Sequence, residues 1–211
     1  MKVHRLLIIL IICCFMVSWF PKAAFWKQIH FNDKQKIGSK IKNSTEEKLR
    51  INAAVAKKFT KEKGYNQKSV FFIEMRLPSG SNRFFIYDLV KDSVVDKGLV
   101  AHGNCYEYWL EGRRYSNVVG SGCTSLGKYK IGNSYVGKWG YSYKLYGLDS
   151  TNNNAFERTV VLHSHSCVPN EVTNEELCQS NGCPTVSPDF LTRLKKIINN
   201  SKKPVLLWIY E

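Results

Sequence analysis

The chain is short of acid. Its 211 residues hold 17 Asp and Glu against 31 Lys and Arg, a formal charge of +14. It has no internal repeat and no low-complexity tract, which excludes a solenoid and a disordered interaction tail. Beyond Phe20 it has no long apolar run, so membrane passage is limited to the N-terminus. It carries no recognisable nucleic-acid-binding motif, which makes nucleic acid a poor partner despite the charge. What is present argues for a folded protein: 44% of residues are hydrophobic and 13% aromatic, enough to build a core.

Lys2 and Arg5 precede the apolar run Leu6–Phe20. A basic start followed by a run shorter than the roughly 20 residues of a bilayer span is the pattern of an export signal. Residues 1–20 are therefore expected to be a signal peptide or an N-terminal membrane anchor. Pro21-Lys22-Ala23-Ala24 offers a poor cleavage site, because small residues are wanted there. The basic excess follows directly: Pro21 to Tyr65 holds 12 Lys/Arg against 4 Asp/Glu, whereas Asn66 to Glu211 holds 17 against 13. Residues 21–43 read as a basic tether, able to meet a membrane surface or an anionic wall polymer. The expected location is the periplasm or cell envelope, with residues 6–20 as a means of anchoring to the inner membrane.

Past the apolar run stand five cysteines, Cys105, Cys123, Cys167, Cys178 and Cys183. Exported cysteines tend to pair, and an odd number leaves one free within a monomer. Four paired cysteines allow three connectivities. Pairing near neighbours gives Cys105–Cys123 and Cys167–Cys178 and leaves Cys183 as the free thiol.

From residue 44 the chain reads as a globular unit. Ser44-Thr45-Glu46-Glu47 resembles a capping box, and Leu49, Ala53, Ala56 and Phe59 follow at helical spacing up to Gly64. Short β-rich runs come next: 69–76, 83–89, 94–101, 127–132, 141–146, 158–163 and 204–210. One more helix is expected over 187–198, with Ser187 as N-cap and Pro188 at its first position. The fold class is therefore mainly β with helical additions. The aromatics Tyr106, Tyr108, Trp109, Tyr115, Trp139, Tyr141 and Tyr143 fit core or cross-strand pairs better than a sugar-stacking groove.

The chemistry gathers in His163-Ser164-His165-Ser166-Cys167 and Ser180-Asn181-Gly182-Cys183-Pro184. A free thiol is mostly protonated at neutral pH, so a nucleophilic cysteine needs an imidazole nearby. Gly182 lets the backbone turn sharply, and amides beside Cys183 are in place for an oxyanion. The helix beginning near Ser187 is expected to aim its positive end at the thiolate. His165, two residues on, shares a strand face with His163 and is the rival base. His163, His165, Cys167, Cys178 and Cys183 are also zinc-ligand types, but their spacing matches no closed site, and no metal or cofactor is expected.

His163 precedes Ser180 by 17 positions, and Ser180-Asn181-Gly182-Cys183 completes a motif. In this the sequence resembles the L,D-transpeptidases of peptidoglycan synthesis, in particular the murein L,D-transpeptidase catalytic domain family. Leu77-Pro78-Ser79, Arg83–Leu89, Val100-Ala101-His102-Gly103, Ser116-Asn117, Ser125–Tyr129 and Gly182-Cys183-Pro184 carry the likeness. The resemblance implies an L,D-transpeptidase-like β-sandwich over 44–211 and peptidoglycan stem peptides as substrate. It implies Cys183 as nucleophile, His163 as base and Ser164 as its orienting residue, through the backbone carbonyl. Gly182 and Cys183 would supply oxyanion amides, Ser180 and Asn181 the turn, and His102 and Gly103 the cleft wall. The chain departs from the family at Asn181, where many members have histidine, and at Thr185, where many have Asn or Arg. Transfer to a second stem would form a 3→3 cross-link; transfer to water would make an L,D-carboxypeptidase. A papain-like peptidase presents its cysteine before its histidine, the reverse of the order here. A catalytically lapsed wall-binding protein is the remaining alternative.

Overall fold

The computed structural model describes residues 44–211, and its compact body is Leu49–Glu211. The expected signal or anchor (1–20) and basic tether (21–43) lie outside the described residues. Among the described residues the fold is mainly β with two helices. Helix α1 covers residues 44–63. Ser44 is already helical, so it stands inside α1 and not in the extended conformation of a cap. The strands are β1 Ser69–Glu74, β2 Phe84–Asp88, β3 Ser93–Gly98, β4 Val100–Ala101, β5 Gly127–Gly137, β6 Gly140–Gly147, β7 Val161–Ser164, β8 Thr185–Val186 and β9 Leu206–Tyr210, with α2 at Pro188–Asn199 between the last two.

All nine strands form one mixed sheet in the order β3-β2-β1-β9-β5-β6-β7-β8-β4. The two edge strands, β3 and β4, are separated in sequence by Leu99 alone. The sheet must therefore curl until its edges come together, and it is nearly closed. Val100 from one edge shares a core cluster with Phe84 and Ile86 from near the other. Arg83, fully buried at the start of β2, fastens this seam. Its Nε and Nη2 donate to the Val100 carbonyl at 3.0 and 2.8 Å, and its Nη1 donates to the Leu77 carbonyl at 3.3 Å.

Alternation along the strands divides the core in two. Phe71, Ile73, Phe84, Ile86, Leu207 and Ile209 face a central cluster, into which α2 inserts Phe190, Leu191 and Leu194. Their alternates Val70, Phe72, Phe85, Tyr87, Leu206 and Tyr210 face Leu49, Ala53 and Ala56 of α1. Each large side chain buried this way contributes about 1.5–3 kcal/mol. Helix α2 begins as its sequence predicts: the Ser187 hydroxyl accepts from the Phe190 amide, and Pro188 opens the first turn.

Two features went beyond the sequence pattern. The run expected over 94–101 is divided at Leu99 into the two edge strands. The two-residue β8, unmarked by any pattern, pairs parallel with β7 and antiparallel with β4. That pairing positions the site, because it sets His163 opposite Thr185.

Candidate active site

Among the described residues Cys183 is the free cysteine; disulfides join Cys105 to Cys123 and Cys167 to Cys178. The turn before it is fixed by close contacts. Gly182 has a φ of +104°, and a Cβ there would stand 2.7 Å from the Cys123 carbonyl oxygen. The Ser180 hydroxyl donates to the Cys183 carbonyl at 2.7 Å and accepts from the Gly182 amide at 3.2 Å. The Gly182 amide is therefore already engaged. Among the described residues nothing accepts from the Cys183 amide, which leaves that N–H available to a ligand.

The thiol is half-buried and accepts from the Val161 amide at 3.5 Å, at the start of β7. The first turn of α2, expected to aim at the thiolate, is capped by Ser187, and among the described residues the hydrogen bond to the thiol comes from Val161. Val161 and His163 alternate onto the same face of β7, and both line one cleft of about 490 Å³ with Cys183. A more open depression of about 720 Å³, along Lys130–Ser134 and Lys202–Val205, contains neither residue.

His163 is buried and held at both nitrogens. Its Nδ1 lies 3.1 Å from the Ser164 carbonyl oxygen, and its Nε2 lies 3.0 Å from the Thr185 hydroxyl. A carbonyl can only accept, so Nδ1 carries the proton and Nε2 is the basic nitrogen. Burial, with the nearby His165, lowers the pKa of His163 below the usual imidazole value, against a smaller upward pull from the Ser164 carbonyl. Burial likewise raises the Cys183 thiol, offset in part by the Val161 amide and by Arg158. Both groups thus favour their uncharged forms at neutral pH, a neutral thiol and a neutral base in one cleft.

The remaining sequence candidates divide. Asn181 is exposed on the cleft rim. Gly103 backs the turn: a Cβ on it would meet the Gly182 Cα at 2.8 Å. His102 is corrected out of the cleft wall. It is 3% exposed, at the seam, with Nδ1 3.0 Å from Arg83 Nη2. What links it to the site is its backbone, whose carbonyl accepts from the Ser180 amide at 2.8 Å. His165 is exposed and its Nδ1 accepts from the Cys167 amide at 3.1 Å. Among the described residues no group of three or more His, Cys, Asp or Glu could hold a metal.

Among the cleft residues that sequence reasoning did not place there, two touch its chemistry. Trp139, at the β5–β6 turn, stacks on the His163 ring with centroids 5.5 Å apart and planes at 25°. It was expected in the core or in a cross-strand pair, as were Tyr106, Tyr108 and Trp109, yet all four are exposed; Tyr143 is the one of that aromatic set that is buried. Arg158, which read as the polar start of a strand, lies in the loop before β7 and lines the cleft. No local pattern marked either one.

A cysteine after a glycine turn and a buried imidazole on β7 thus line one cleft. The family model described as L,D-transpeptidase catalytic domain matches residues 41–210. The chain belongs to that family. L,D-transpeptidases are also what the solved structures with similar folds include: one from Mycobacterium smegmatis (10% identity, TM-score 0.40, 68% of this chain and 59% of that one) and the C442S mutant from Enterococcus faecium (12%, 0.40, 68% and 50%). The helical cell shape determining protein Pgp2 of Campylobacter jejuni, as its K307A mutant, is similar to the same degree (10%, 0.44, 68% and 47%). The chain thus spans 47–59% of the length of these three structures. A search of curated protein sequences gives no match.

Proposed function

We propose that this L,D-transpeptidase family member transfers stem-peptide acyl groups through a thioester on Cys183. The observation that carries the reading is the pairing, in one cleft, of the free thiol with an imidazole whose hydrogen bonds leave Nε2 as the base. Nε2 of His163 takes the thiol proton as sulfur attacks the carbonyl that follows the L-centre of meso-diaminopimelate in a tetrapeptide stem. The Thr185 hydroxyl must first turn away from Nε2, and it has a second acceptor in the Cys183 carbonyl at 3.3 Å. The Cys183 amide faces the developing oxyanion. Collapse of the tetrahedral intermediate breaks the C–N bond, and His163 returns its proton to the departing D-alanine amine. The side-chain amine of a second stem then gives a proton to His163 and attacks the thioester. This restores the thiol and forms a 3→3 cross-link.

Neutral resting groups suit this sequence, because charge appears only as the proton moves. The two disulfides support an oxidising location, the periplasm or cell envelope. The reading is tested by incubating the protein and a Cys183→Ala variant with disaccharide-tetrapeptides and weighing the products. Loss of D-alanine with dimers is expected. Loss without dimers would mean water is the acceptor, and no Cys183-dependent change would overturn the reading.

A further inference from the structure

Arg158 makes four hydrogen bonds, and all four acceptors are neutral. Nη1 donates to the Ser116 carbonyl at 2.7 Å and the Ser125 hydroxyl at 2.9 Å. Nη2 donates to the Ser121 hydroxyl at 3.2 Å and to the Cys123 carbonyl. A guanidinium has five N–H bonds, so only Nε–H remains, too little for the two-pronged grip by which arginine holds a carboxylate. Among the described residues no carboxylate pairs with it. Its donors are therefore engaged while its charge is not. That charge lies under the nucleophile's turn: Nη2 is 3.4 Å from where a Cβ on Gly182 would be, and Arg158 shares the cleft with Cys183.

We propose that Arg158 is a positioning residue that supplies a fixed positive charge to the thiolate form of Cys183, its four neutral acceptors serving to hold that charge in place. This rests on the reading of Cys183 as the nucleophile. Other titratable groups line the cleft or interact with the thiol from each neighbouring element: His163 and His165 from β7 and its end, Lys138 from the β5–β6 turn, Tyr129 and Tyr135 from β5, and Tyr106 from the segment after β4. None of them is a carboxylate. Lys138 is exposed, with its ammonium 4.9 Å over the Trp139 ring, and has no comparable anchoring. A half-buried cation with no counter-ion is costly, and the thiolate is the anion that would relieve it.

The test is the pH dependence of iodoacetamide alkylation in the full-length protein, read on the Cys183 peptide by mass spectrometry, for wild type, Arg158→Gln and Arg158→Lys. The glutamine variant is expected to move the thiol midpoint up by about one pH unit, roughly tenfold slower alkylation below it, as for loss of a nearby opposite charge. The lysine variant, which keeps the charge and loses the fork, is expected to stay within about a third of that shift. An unchanged midpoint in the folded glutamine variant would overturn the proposal. So would a lysine variant shifted by the full unit, and this second comparison decides alone if the glutamine variant does not fold. Alkylation needs no stem peptide. An Arg158-dependent profile in a protein that processes no stem would therefore overturn the proposed function and leave this inference standing.

Discussion

Replacing His102 with asparagine is predicted to flatten the dependence of stability on pH. His102 is buried at the seam of the sheet, and burial, with the Arg83 guanidinium against it, holds its pKa down to about 4. In the unfolded chain the same imidazole titrates near 6.5. Between these values the unfolded state binds a proton that the folded state does not. Stability is therefore full above about pH 6.5, falls as pH drops towards 4, and levels off below. A difference of about 2.5 units corresponds to about 3 kcal/mol. Asparagine presents an oxygen to Arg83 and does not titrate, so the variant should lose about 3 kcal/mol less than wild type between pH 7 and pH 4. Urea unfolding at pH 7, 6, 5 and 4 measures both slopes, with the carboxylates common to both proteins. Parallel slopes would refute the reasoning. The site should feel this, because the His102 and Gly103 backbone holds Ser180 in place.

Thr185→Val removes the hydroxyl that donates to His163 Nε2 and so stabilises the neutral ring. The His163 midpoint, followed by NMR, should rise by about half a unit or more; no rise would mean that the hydroxyl does not donate there. Phe190→Ala empties a site where the ring is 1% exposed and meets Phe84 edge-on at 5.1 Å. It should cost about 3–5 kcal/mol in urea unfolding. Opening the Cys105–Cys123 disulfide by a double serine substitution releases a loop of 18 residues, expected to cost about 3 kcal/mol.

Legibility followed range. Ser187-Pro188 announced α2 and alternation announced most strands, because those signals lie within a few residues of their consequence, while cysteine parity, with pairing of neighbours 18 and 11 residues apart, singled out Cys183. The curl of the sheet depends on β1 meeting β9 and β7 meeting β8, pairings between distant segments that leave no local trace. Two-residue strands such as β8 are too short to show a period. Arg158 was hidden for the same reason, since its acceptors lie 33–42 residues earlier in the chain. Trp139 had the composition of a core aromatic, and only the hairpin that carries it shows that it covers His163 instead.

The central claim is that Cys183 becomes acylated by a stem peptide. Intact-mass measurement of the full-length protein mixed with a stem tetrapeptide and quenched in acid addresses it directly. The account predicts a mass increase equal to the tripeptide acyl group, mapped to the Cys183 peptide and absent from Cys183→Ala. Turnover of the tetrapeptide that persists in Cys183→Ala, or an adduct on another residue, would contradict it.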